Sequence, residues 1–377
     1  MKKIILLGAS NSLLFNGLQL GLRQKNITLH NLSLGGSSAL SKIYILKKKE
    51  NIEIIKNADL IILETSIVDL YEVICGTINI EQSYRNIEWL LQELFFLNKK
   101  IVNLLLFEQH YFNQNKELSN IIFKVHKLCC QKYGFNVIDV HHYYMDKNIH
   151  HFYSSHPDPA HQIPIIMYNL GRNIAKNIEK FNFPKKIQIK KDNPNFFICT
   201  PDILTCDNGE IILTEEKDIQ HKEWVYYLKN DIKLQFPNIF YNYHLCAIHV
   251  WNKVKHAKTN DQVRMNYSSI VIKNSKKTII KNAAAYNYCF GFYEDNFVID
   301  NQSYIFFNYE NLPHTENSTG TLLIGNKANI LDFFGISAFL LADQNGKFDF
   351  SEEIAFIKNN DIFVDEEYDF SYLVPPV

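Results

Sequence analysis

The sequence predicts an α/β fold: a flavodoxin-like, doubly wound parallel sheet, followed by a C-terminal mainly-β domain. Three observations predict it. Short apolar runs alternate with helical patterns from residue 1 to about 180, and that alternation requires a parallel sheet with helices on both faces. The texture then changes to short alternating segments rich in Val, Ile, Tyr and Phe. The length of 377 residues exceeds one domain at about 150 residues each.

The elements follow in order. Lys3–Leu7 reads as a first buried strand, and Leu13, Leu14, Leu18 and Leu22 recur at helical spacing behind it. Ile27–Leu34 is a second strand and Leu60–Leu63 a third. Ile80–Leu97 is an amphipathic helix carrying Ile87, Leu90, Leu91 and Leu94. Ile101–Phe107 is a fourth strand, Leu118–Tyr133 a helix, Phe135–Val140 a fifth strand and Ile165–Ile178 a closing helix. A basic, Pro-marked linker runs from Phe183-Pro184 to Asn193-Pro194. Beyond it, Tyr243–Trp251, Tyr267–Lys273, Tyr288–Tyr293, Tyr304–Tyr309 and Thr321–Ile324 read as strands of an antiparallel sandwich, with one helical patch at Glu223–Leu234. The expected domains are therefore 1–182, α/β and catalytic, and 196–377, mainly β, an accessory domain with a carbohydrate-binding surface in prospect.

Composition excludes several classes. With 46% hydrophobic and 21% charged residues the chain is folded rather than disordered. Lys plus Arg at 39 balance Asp plus Glu at 40, which argues against electrostatic binding of nucleic acid. No apolar run reaches the ~18 residues of a spanning helix. The apolar start ends at Gly8, too early for a leader of roughly 7–15 apolar residues, so a cytoplasmic protein is expected. Seven irregularly spaced cysteines suggest reduced thiols and no metal site. Six histidines lie between His141 and His161, without the carboxylate or Cys pattern of a metal centre.

Four stretches bear chemistry. Gly8-Ala9-Ser10-Asn11-Ser12 falls where the first strand ends, which sets a Ser hydroxyl at the carboxyl edge of the sheet; capping of a helix by Ser10 or Ser12 is the plainer alternative. Leu34-Gly35-Gly36-Ser37 ends the second strand, and paired glycines let backbone N–H groups approach a ligand or simply make a turn. Glu64-Thr65-Ser66-Ile67-Val68-Asp69 ends the third. In Asp158-Pro159-Ala160-His161 the carboxylate can orient the imidazole, which can then take a proton from a Ser hydroxyl. Trp251, Tyr286, Tyr288, Phe290 and Phe292 are either sugar-stacking rings or core.

In order and spacing these stretches resemble the SGNH (GDSL-like) hydrolase superfamily over roughly residues 3–180. The resemblance implies Ser10 as nucleophile, the N–H groups of Ser10 and Gly36 as oxyanion donors, His161 as base and Asp158 as its orienter. Two departures stand out. Where the family's third block ends in Asn-Asp, this chain has Val68-Asp69, so Ser66, Asn11 or a backbone amide would have to supply the missing donor. His156-Pro157 also resembles the family's His-Pro ending, but position 153 is Tyr, so His161 is preferred as base.

The chemistry implied is acyl transfer. The leading expectation is an O-acetyltransferase that moves acetyl from acetyl-CoA to a hydroxyl of a bacterial surface glycan, with sialic acid a candidate through a looser resemblance to bacterial sialate O-acetyltransferases. A carbohydrate O-acetyl esterase with the same three residues is the alternative, and a non-catalytic glycan-binding protein the third.

Overall fold

The structure, a computed structural model, describes residues 1–107, 115–154, 158, 161–230, 232–252, 266–283, 287–294, 296–316 and 329–376. The chain divides into two units. One comprises Met1–Ile74, Asn79–Asn193 and Lys347–Val377, and the other Cys75–Ile78 and Pro194–Gly346. The expected accessory domain of 196–377 is thus too long at its C-terminal end. The last stretch returns to the first unit, where Phe370 N–H donates to Val137 O at 2.8 Å and Asp139 N–H to Ser371 Oγ at 3.0 Å. That return covers an edge strand that would otherwise expose unpaired backbone.

The first unit is built on strands β1 (Lys2–Gly8), β2 (Ile27–Asn31), β3 (Leu60–Glu64), β4 (Lys100–Leu105) and β5 (Asn136–Asp139). All pair in parallel in the order β2-β1-β3-β4-β5. β3, β4 and β5 are buried along their whole length, because helices cover both faces. β2 is an edge strand, half-buried throughout, and stops at Asn31, short of the expected Leu34. The chain steps outward from β1 to β2 and then back to β3, so the topological switch lies at the carboxyl ends of β1 and β3.

Behind β1 come α1 (Ser10–Leu13) and α2 (Leu18–Leu22), then α3 (Ala39–Lys47), α4 (Lys49–Lys56), α5 (Ser66–Ile74) and α6 (Ile80–Phe95). α6 starts where it does because Asn79 and Gln82 form a capping box, each side chain accepting the other's backbone N–H at 2.8 Å. The later helices are α7 (Lys116–Tyr133), α8 (Val140–Asp146), α9 (His150–Ser154), α10 (Pro164–Lys176) and α11 (Ser351–Asn359). One contact among them positions the site. α2 lies so close to α10 that a Cβ on Gly21 would come within 2.0 Å of Tyr168 O, and one on Gly171 within 2.5 Å of Leu18 O. Leu18, Leu22, Met167 and Leu170 then share one core with Ile4, Leu6 and Ile62 of the sheet.

The second unit contains two antiparallel sheets. One runs β13-β12-β15-β10-β7 with β16 beside β12, and the other β14-β11-β17-β9-β8 with β6 beside β17. The strands are β6 (Phe196–Cys199), β7 (Thr205–Cys206), β8 (Thr214–Lys217), β9 (Lys222–Leu228), β10 (Lys233–Gln235), β11 (His244–Trp251), β12 (Asn266–Lys273), β13 (Thr278–Ala283), β14 (Asn287–Gly291), β15 (Tyr304–Phe307), β16 (Asn329–Ile330) and β17 (Phe334–Ala342). Ile270, Ile272 and Ile305 of the first sheet share a core with Leu228, Ile248, Phe290 and Phe339 of the second, the arrangement of a β-sandwich. In place of the expected helix at Glu223–Leu234 stand most of β9 and the start of β10. The contiguous Trp, Val and Tyr residues of β9 suit a pleated surface, and Val225 pairs with Thr214 across a hairpin. Thr321–Ile324 lies outside the described residues.

Candidate active site

Ser10 is the first residue of α1, directly past the end of β1, and is partly exposed. The turn before it is fixed by Ala9, whose N–H donates to both Glu64 O at 3.1 Å and Glu64 Oε2 at 2.9 Å. The stretch after β2 lies alongside. Gly8 N–H donates to Ser33 Oγ at 2.8 Å, and Leu34 N–H to Gly8 O at 3.2 Å. Gly36 follows with φ +59°, a left-handed conformation that costs any other common residue about 1–2 kcal/mol. Among the described residues, the N–H groups of Ser10 and Gly36 donate to no partner.

His161 Nδ1 and Asp158 Oδ2 are 2.6 Å apart. With the carboxylate accepting from Nδ1–H, Nε2 carries the lone pair, the tautomer a general base needs. The two side chains are 26% and 49% exposed, so the pair faces solvent rather than core. What brings it to Ser10 is the next residue on each side. Gln162 N–H donates to Asn11 Oδ1 at 2.8 Å, and both residues are buried. Gln162 Nε2 in turn donates to Phe107 O, just past β4. The close α2–α10 packing carries the same two segments together from behind. Ser10 Oγ and His161 Nε2 make no hydrogen bond to each other in this state; such bonds are often long without substrate. His156 lies outside the described residues.

The third stretch does different work from that expected of it. Ser66 Oγ accepts from Leu106 N–H at 3.3 Å and lies 3.5 Å from Leu104 O, so this hydroxyl is committed to the end of β4. Asn11 accepts from Gln162 N–H through its Oδ1. Val68 is an apolar, buried residue of α5. Asp69 anchors the start of α3: its Oδ1 accepts Ala39 N–H at 2.8 Å, and its Oδ2 lies 3.1 Å from His126 Nε2. Asn103 Nδ2, 3.2 Å from His126 Nδ1, completes a buried relay and assigns the proton to Nε2.

Two further charged residues belong to this region: Lys42, outside the four stretches, and Glu64, which stands in the third without an assigned role. Both are fully buried. Glu64 Oε2 accepts from Ala9 N–H and Ser12 Oγ, and Lys42 Nζ donates to Gly8 O and Ser37 Oγ. The available signal was a lone charge in an otherwise apolar run, at Leu60-Ile61-Ile62-Leu63-Glu64 and at Lys42-Ile43-Tyr44-Ile45. The expected sugar-stacking rings are core instead: Trp251, Tyr288, Phe290 and Phe292 are buried, and Tyr286 is outside the described residues. A cavity of about 720 Å³ opens beyond β5, lined in part by Phe123, Lys127, Asp139, His141 and Tyr372, and neither Ser10 nor His161 lines it. Among the described residues no group of three or more His, Cys, Asp or Glu is placed to hold a metal ion, and no helix is long and apolar enough to cross a membrane.

No protein family and no curated relative matches the chain by sequence. Among solved structures it is similar to the lipase/acylhydrolase from Enterococcus faecalis, at 16% identity over 50% of this chain and 100% of that one, with a TM-score of 0.39. It is also similar to a lipase from goat rumen metagenome, at 17% identity over 37% of this chain and 80% of that one, TM-score 0.30. A third is an α/β hydrolase enzyme from the metagenome of Lake Arreo, at 14% identity over 47% of this chain and 93% of that one, TM-score 0.36.

Proposed function

We propose that the first unit is a serine esterase-type acyl-transfer enzyme acting through Ser10, His161 and Asp158. The observation that carries this reading is the Asn11–Gln162 hydrogen bond, which ties the neighbour of Ser10 to the neighbour of a histidine already oriented by its own carboxylate. His161 Nε2 takes the Ser10 hydroxyl proton as Oγ attacks an acyl carbonyl. The Ser10 and Gly36 N–H groups receive the oxyanion. The tetrahedral adduct collapses, the leaving group departs with the proton from His161, and an acyl ester remains on Ser10. An acceptor hydroxyl then gives its proton to His161, attacks that ester and frees Ser10.

Water as acceptor makes the protein an esterase. A sugar hydroxyl, with acetyl-CoA as donor, makes it the O-acetyltransferase expected from the resemblance. One experiment tests the shared chemistry and separates the acceptors. A fluorophosphonate probe should label the wild type at Ser10 and leave Ser10→Ala unlabelled. Release of acetate from an O-acetylated sugar identifies the esterase, and transfer from acetyl-CoA to a sialylated acceptor the transferase. Absence of labelling together with measurable sugar binding would replace both with a non-catalytic glycan-binding protein.

A further inference from the structure

Glu64 and Lys42 form a polar cluster beneath the Ser10 turn that the chemistry above does not use. Glu64 reaches the turn from β3, with its Oε2 2.9 Å from Ala9 N and 2.9 Å from Ser12 Oγ. A Cβ on Gly8 would lie 1.8 Å from Ser12 Oγ, so this arrangement requires glycine at the strand end. Lys42 reaches the same turn from α3, and its Nζ joins the Gly8 carbonyl to the Ser37 hydroxyl. Ser37 directly follows Gly36, and its hydroxyl also donates to Leu34 O. Burial pushes the Glu64 carboxyl up, against the Ala9 N–H, the Ser12 hydroxyl and the charge of Lys42, which pull it down. Two ionisable groups withdrawn from water are an expensive way to hold a turn, because apolar side chains of similar volume often stabilise a fold as well or better. Their use here needs a geometric reason.

We propose that Lys42 and Glu64 are positioning residues that fix the spacing between the Ser10 turn and the Gly36 loop, so that the two N–H groups converge on a single oxyanion. Lys42 is the only described side chain whose nitrogen bridges Gly8 and Ser37. The inference rests on the acyl-transfer reading of Ser10.

The test compares wild type, Lys42→Met, Glu64→Leu and Ser37→Ala in ester hydrolysis and in the rate of Ser10 labelling by a fluorophosphonate. An oxyanion exists only in the transition state, so Lys42→Met and Glu64→Leu should lower kcat and the labelling rate with KM unchanged. The expected loss is about 10²-fold, that of a misplacement near 1 Å. Ser37→Ala cuts the link to the loop while keeping the amine, and should show the same split to a smaller extent. A Lys42→Met protein that folds by circular dichroism and keeps wild-type kcat would overturn the proposal. If Lys42→Met does not fold, an unchanged kcat in Ser37→Ala overturns it, and a lowered kcat at constant KM supports it. A wild type that never labels at Ser10 removes the acyl-transfer reading, and this inference with it, which is a different failure from a labelled wild type beside equally active variants.

Discussion

The chain contains Asp-x-x-His pairs in both units, and their fates differ. Asp158 and His161 lie 2.6 Å apart, face solvent, and are joined through Gln162 to the residue beside Ser10. Asp218 and His221 are 3.2 Å apart and close the four-residue turn between β8 and β9. Asp218 there accepts the N–H groups of Gln220 and His221 at 2.8 and 2.7 Å, and Asn287 Nδ2 at 3.2 Å, while its own N–H donates to His221 O. Both carboxylates orient an imidazole. In the second the oxygens are also filled by the backbone of their own turn, which is what an Asx turn does. Spacing alone therefore does not make a site; the segment next to the pair does.

The comparison breaks most readily at the histidines. His161→Ala should lower kcat/KM by about 10⁴-fold in ester hydrolysis, as loss of a base does when the nucleophile depends on it. His221→Ala should leave kcat/KM unchanged. Equal losses in the two variants would show that the first pair has no special tie to Ser10. The carboxylates sharpen the contrast. Asp158→Asn removes the acceptor that selects the imidazole tautomer, and kcat should fall by about 10²–10⁴-fold with KM little changed. Because Asp158 is half-exposed, the lower end is expected, and a wild-type rate would assign His161 its orientation from elsewhere.

A third histidine supplies the opposite environment. His141 is buried, stacked on Phe123 at 4.1 Å between ring centroids and on Phe107 at 5.4 Å. Burial lowers its pKa to about 4, against a smaller upward pull from Asp139. The unfolded chain therefore binds a proton that the folded chain refuses between roughly pH 6.5 and 4. Stability is complete above that window and is lost as pH falls through it, by at most about 3 kcal/mol. His141→Phe keeps the stack and removes the proton site. Its melting temperature should be flatter than the wild type's from pH 7 to 4, and parallel curves would place the acid sensitivity elsewhere.

What could be read in advance follows burial. Four of the five parallel strands were legible because β1, β3, β4 and β5 are buried over most or all of their length and so carry mostly apolar stretches such as Ile4–Leu7, Leu60–Leu63 and Ile101–Val102. The placement of Ser10 and Gly36 past strand ends, and of His161 in the loop beyond β5, was legible because the apolar runs delimit those positions. The burial of Glu64 and Lys42 was not, since a charge is taken for a solvated one until its neighbours are known to be buried. The segment from Trp224 to Leu228 misled for a related reason: a short apolar run has no period of its own, and of its two neighbours only β8 is local, while Ile336, which pairs with Tyr226, lies far off in sequence. The return of the C-terminal stretch to β5 left no local mark, because Phe370, Leu373 and Val374 join the first unit's core only in three dimensions, beside contacts such as Ser371 to Asp139.

The smallest expected effect tests the second pair on its own terms. Burial works to raise the Asp218 carboxyl, but hydrogen bonds from the His221 ring and from the Gln220 and His221 amides outweigh it and hold the carboxyl well below the usual carboxylate range. A carboxyl depressed in the folded state adds stability that is present above its unfolded pKa, near 3.9, and is lost as pH falls below it. Asp218→Asn keeps the shape of the turn and removes the charge, so it should cost about 1 kcal/mol at pH 7, the scale of one hydrogen bond. The difference from wild type should shrink when unfolding is measured at pH 3, with catalytic rate untouched at neutral pH. A change in kcat without a change in stability would mean that this turn, and not only the Asp158 pair, serves the reaction.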